Sequence, residues 1–162
     1  MSIHFTSEEI INLAIDIERR GIAFYDTMAR STESSALSSA FQFLVNMERQ
    51  HVQIFLGMRT EAGGSLALEN YTAEHSAYLD ALAASAVFTD DMVTSEMATK
   101  INSDIEALEL AISAEKDSIL FYYELRDIMP QTSHSLLSQI ISEEKAHLRQ
   151  LSQLKKEFQA GG

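Results

Sequence analysis

The chain has 162 residues, 46% of them hydrophobic, with one proline, six glycines, no tryptophan and no cysteine. That length suits a single domain with a real core and excludes a disordered chain; the missing cysteines exclude disulfides, thiolate zinc sites, iron–sulfur centres and cysteine nucleophiles. Without cysteine, any metal must be held by oxygen and imidazole; twelve basic against twenty-four acidic residues leave a formal charge of −12, which argues against nucleic-acid and membrane-surface partners. The N-terminal segment Met1–Thr6 has no basic stretch followed by an apolar one, and no run approaches the ~18 apolar residues of a membrane span, so a cytoplasmic protein is expected.

Thr6-Ser7-Glu8-Glu9 has the form of a capping box and predicts a helix over about 7–30. Its inward stripe is Ile11, Ala14, Glu18, Gly21, Ile22, Tyr25 and Met28, so one carboxylate stands among core residues. The turn Ser31–Ser35 leads into a second helix, about 35–62, stopped by Gly63-Gly64. There the stripe is Leu37, Phe41, Leu44, Glu48, His51, Val52, Phe55 and Met58.

Residues 63–102 must carry the chain back along the bundle and are too many for bare loop. A short helix is expected near 72–88, packed through Tyr71, Tyr78, Leu79 and Leu82, with a further turn at Thr94–Lys100. His75 has no periodic partner and is expected to face solvent. Ser103-Asp104-Ile105-Glu106 is a second capping box, opening a helix over about 103–129 that Pro130 ends. Its inward stripe is Leu108, Ala111, Ile112, Glu115, Ile119 and Tyr122. The last helix, about 132–158, carries Leu137, Ile140, Glu144, His147, Leu148 and Leu151, with Gly161-Gly162 as a frayed end.

A Glu-x-x-His pair is common by chance, but here it belongs to an internal repeat. At an offset of 97, Leu13, Ala14, Ile15, Glu18, Ile22, Phe24 and Tyr25 fall on the identical residues Leu110, Ala111, Ile112, Glu115, Ile119, Phe121 and Tyr122. At an offset of 96, Glu48 and His51 fall on Glu144 and His147. The chain is a duplicated helical hairpin, and the predicted fold is an all-α, antiparallel four-helix bundle with a long crossover between its second and third long helices.

Residues three apart on a helix share a face, so Glu48 with His51 and Glu144 with His147 can each grip one cation. Antiparallel packing brings Glu18, Glu48, Glu115, Glu144, His51 and His147 to a common depth. Four carboxylates carry −4 and two divalent cations +4, so the set balances when two metals are present. Glu48 and Glu144 are expected to bridge, Glu18 and Glu115 to bind terminally, and one histidine to serve each metal. Iron or manganese suits these donors, and zinc binds the same types. Tyr25 and Tyr122, two turns beyond Glu18 and Glu115, either hydrogen-bond carboxylates or pack in the core.

One Glu from each of two helices and Glu-x-x-His from each of the other two is the arrangement of ferritin-like carboxylate proteins. The sequence resembles the rubrerythrin branch of that superfamily over its four long helices. The resemblance implies a di-iron centre that reacts with hydrogen peroxide or dioxygen and is re-reduced by an external electron-donor protein, with a homodimer as the expected assembly. Two departures stand out. Rubrerythrins usually add a rubredoxin-like iron site with four cysteines, absent here, and peroxidase-type members have a further Glu one turn after the third-helix ligand, where this chain has Ser118. Ferroxidase or iron-handling activity is one alternative, and a metal-free helical interaction module is another.

Overall fold

A computed structural model describes residues 4–61, 68–88 and 101–161. Among the described residues it contains five helices and no strand: α1 Ser7–Ser31, α2 Ser35–Glu61, α3 Ala73–Ala84, α4 Asp104–Ile128 and α5 Gln131–Gly161. The fold is the expected helical bundle, with α1 packed on α2 and α4 on α5 as two hairpins.

Local signals set the helix ends. The Thr6 hydroxyl accepts from Glu9 N–H while the Glu9 carboxylate accepts from Thr6 N–H, so the first capping box is complete. The second is half formed: Ser103 Oγ accepts from Glu106 N–H, but the Glu106 carboxylate reaches one residue further back, to Asn102 N–H. Pro130 ends α4 as expected, with Met129 in extended conformation. Its carbonyl then accepts from Ser133 N–H at 2.9 Å, so α5 starts at once, at Gln131, rather than at 132. At the other end α5 continues to Gly161, beyond the expected stop near 158. The Gly63-Gly64 stop and the Thr94–Lys100 turn lie outside the described residues.

Thr32 Oγ1 donates to Asp104 Oδ1 at 2.9 Å, placing the end of α1 beside the start of α4. Glu69 N–H donates to the Ile128 carbonyl, placing the chain after α2 beside the end of α4. The two long helices α2 and α4 therefore run parallel, and the crossover travels the length of the bundle. On it, Leu79 is fully buried and Tyr71 and Leu82 are partly so, but Tyr78 is 42% exposed and does not pack as expected. His75 is half-buried rather than free in solvent, because its Nδ1 accepts from Thr72 N–H at the start of α3.

Two apolar clusters fill the interior. One gathers Ile10, Ile11, Phe55, Phe121, Leu125 and Ile140; the other gathers Phe24, Met28, Phe41, Leu44, Leu108 and Leu151. Each long helix passes from one cluster to the other across its buried glutamate. The polar layer is thus walled above and below by hydrocarbon.

The burial pattern separates two aromatic side chains by consequence. Phe55→Ala empties a fully buried site and is expected to cost about 3–5 kcal/mol, whereas Tyr78→Ala at the exposed crossover position should stay within about 0.5 kcal/mol. Denaturant unfolding of the metal-free protein measures both.

Candidate metal centre

Glu18, Glu48, His51, Glu115, Glu144 and His147 are all buried, at 4% exposure or less. They converge as two overlapping sets. Glu18, Glu48, His51 and Glu144 present one ligand atom each within 4.8 Å of one another, and so do Glu48, Glu115, Glu144 and His147. Glu48 and Glu144 belong to both. The imidazole rings of His51 and His147 lie 6.1 Å apart, centroid to centroid.

Both rings turn Nδ1 inward. His51 Nδ1 stands 3.1 Å from Glu144, 3.4 Å from Glu18 and 3.5 Å from Glu48. His147 Nδ1 stands 3.0 Å from Glu144, 3.3 Å from Glu48 and 3.8 Å from Glu115. Despite these approaches, Glu18 Oε2, Glu48 Oε1, His51 Nδ1, Glu115 Oε2 and Glu144 Oε1 are buried without a well-formed hydrogen bond. Buried polar atoms are normally satisfied. Five orphaned donor atoms aimed at one interior space fit divalent cations, and the oxygen and nitrogen donor set suits iron, manganese or zinc.

Tyr25 and Tyr122 hydrogen-bond carboxylates rather than merely packing, and they do so crosswise. The Tyr25 hydroxyl donates to Glu115 Oε1 at 2.7 Å and the Tyr122 hydroxyl to Glu18 Oε1 at 2.5 Å. A residue seven places past a glutamate stands ~10 Å further along its own helix. Each hydroxyl reaches across to the carboxylate of the antiparallel partner instead of back to its own.

Glu143 was not among the residues expected at the site. Its Oε2 lies 2.7 Å from His51 Nε2, and its other oxygen accepts from Gln139 Nε2 at 3.1 Å. The only sequence signal was its place beside Glu144, and a neighbouring residue on a helix ordinarily points elsewhere. His75 lies outside both ligand sets.

Burial and repulsion from neighbouring carboxylates raise the pKa of Glu18 and Glu115 well above the usual range. Burial, and then the nearby carboxylates, also raise Tyr25 and Tyr122, keeping both as protonated donors. For the histidines burial opposes protonation, but the carboxylates facing each ring outweigh it; His51 is raised strongly and His147 is pushed up to about 11. Glu144 is the reverse case: burial disfavours its charge, yet hydrogen bonding from His147 and His51 holds it below the ordinary carboxylate value.

A bundle with this buried Glu/His pattern is of the ferritin-like kind. The rubrerythrin family profile matches residues 9–155. The chain belongs to the rubrerythrin family. A solved structure from Thermotoga maritima, described as a ferritin-like diiron-carboxylate protein, shares 28% sequence identity with a TM-score of 0.70, over 95% of this chain and 97% of that one. No curated protein matches. Among the described residues, no helix is long and apolar enough to cross a membrane.

These protonation states give the metal-free protein a definite pH response. Glu18, Glu115, His51 and His147 hold protons that the unfolded chain releases earlier, so their contribution is lost as pH rises; for His147 the loss runs from 6.5 to about 11. Glu144 has the opposite sign, but its window lies below pH 4.5. The melting temperature of the metal-free protein should therefore fall from pH 6.5 to 9. With Mn(II) present, ligand deprotonation favours binding, and the Mn(II)-induced rise in melting temperature should grow over the same range.

Proposed function

We propose that the chain is a non-haem di-iron or dimanganese redox protein that reduces hydrogen peroxide or dioxygen; zinc fits the same donors but carries no redox chemistry. Glu18, Glu48, His51 and Glu144 would hold one ion; Glu48, Glu115, Glu144 and His147 would hold the other. The observation that carries this reading is the set of orphaned, buried donor atoms in two groups sharing Glu48 and Glu144. When bound, two ferrous ions supply two electrons, which with two protons take peroxide to two waters or dioxygen to peroxide. In this reading an external donor protein re-reduces the centre.

The side chains set the conditions for that chemistry. Glu48 and Glu144 span both positions, while Tyr25 and Tyr122 fix the outer carboxylates by donating to Glu115 and Glu18. The two apolar clusters keep bulk water out. A small cavity bounded by Gly21, Tyr25, Glu48, Glu115, Ser118 and Phe121 leaves about 30 Å³ for the centre of a water-sized molecule. That is room for a molecule the size of water or peroxide beside Glu48 and Glu115. Gly21 and Ser118 correspond under the 97-residue offset, so both halves of the repeat supply a small residue there. Ser118 Oγ donates to the Ala114 carbonyl within its own helix, so its hydroxyl is turned back from the space.

Anaerobic loading with two Fe(II) per chain, followed by stopped-flow mixing with peroxide or dioxygen, tests the proposal. The expected result is rapid oxidation dependent on the added oxidant; no oxidant-dependent absorbance change would remove the redox role. Ser118→Leu, which fills the cavity, should slow oxidation while leaving metal stoichiometry at two. Continued turnover of Fe(II) beyond two per chain would point to iron handling instead.

A further inference from the structure

The duplication is imperfect beside the two imidazoles, and the consequence rests on the two-metal reading above. Under the 96-residue offset that lays α2 on α5, Glu143 corresponds to Met47 and Gln139 to Phe43. His51 Nε2 is 2.7 Å from a Glu143 carboxylate that Gln139 holds in turn. His147 instead meets the Phe43 ring edge-on, with centroids 6.1 Å apart and planes at 86°. Met47 stands at the register position that Glu143 fills on the other side.

We infer that the two metal positions are unequal: the one built from Glu18 and His51 binds more tightly and fills first, and Glu143 is the positioning residue that makes it so. A carboxylate accepting from the distal N–H of an imidazole fixes the tautomer that leaves Nδ1 free to bind, holds the ring in orientation, and raises its basicity. His51 has such a partner. A phenylalanine edge offers neither charge nor a strong acceptor, and a thioether is only a weak one. Both halves contain Glu48 and Glu144, and Glu18 and Glu115 each accept from a tyrosine, so the support of the two imidazoles differs where the carboxylates are matched. Outer partners of this kind are worth about 10–100-fold in metal affinity, so an inequality of that order is expected.

Calorimetric titration of the metal-free, full-length protein with Mn(II) or Co(II) alone reads this without any turnover, and Co(II) absorption reports the ligand set at each step. Repulsion between two dications would by itself separate two binding steps, so the variants decide. Glu143→Gln and Glu143→Ala are expected to weaken the tighter step by roughly 10–100-fold and leave the weaker step nearly unchanged. Met47→Glu should strengthen the weaker step. His147→Ala should keep the tight step, and His51→Ala should lose it. Equal weakening of both steps by the Glu143 variants, or no weakening of either, would overturn the inference while the two-metal centre stands. Failure of the wild-type protein to bind either metal would overturn both.

Discussion

Four carboxylates buried in one layer of a helical bundle must be neutralised, and the rest of the molecule follows from how that is done. An ionised carboxylate left unpaired in a protein interior costs several kcal/mol even after relaxation. In the metal-free protein, burial and the neighbouring carboxylates raise the pKa of Glu18 and Glu115, and the carboxylates facing the rings raise His51 and His147, so this layer holds protons. Protons and metal therefore compete for one electrostatic role.

The duplication explains how so few residue types meet that requirement. Each hairpin contributes a glutamate on one helix and Glu-x-x-His on the next, and neither half completes a ligand set alone, because Glu48 and Glu144 serve both. The tyrosines couple the halves further: Tyr25 donates from α1 to α4 and Tyr122 from α4 to α1. A change in one hairpin is thus felt by the ligands of the other. The apolar clusters on either side reinforce this, since each draws residues from all four long helices.

Much of this was readable from the sequence because it depends on periodicity. The α2 stripe from Leu37 to Met58 is buried at every predicted position, including Glu48 and His51, since a helix buries what its 3.6-residue repeat places on one side. Helix starts at Thr6 and Ser103 were visible because capping is local. What was missed depends on contacts between helices. The partner of each tyrosine lies about ninety or a hundred residues away in sequence, and the role of Glu143 is set by the approach of His51 from α2. Ile112, Ile119 and Leu148 are only half-buried, because how far an apolar stripe is covered at its flank depends on the neighbouring element. Tyr78 is exposed for the same reason: a short helix on the outside of a bundle buries one narrow face.

The crossover shows how a topological necessity becomes part of the site. Parallel α2 and α4 require a long return, and its described segment 68–88 is packed along the bundle. Leu79 joins the buried cluster of Ile10 and Phe55, Val87 N–H donates to Asp117 on α4 at 2.9 Å, and Phe88 packs tilted against Phe24 on α1 with centroids 4.3 Å apart. Leu82, Ala86, Val87 and Phe88 therefore form the outer wall of the cavity whose inner wall includes Glu48 and Glu115. The long helices supply the carboxylates and imidazoles, but the size of molecule that can stand beside them on this flank is set by the crossover.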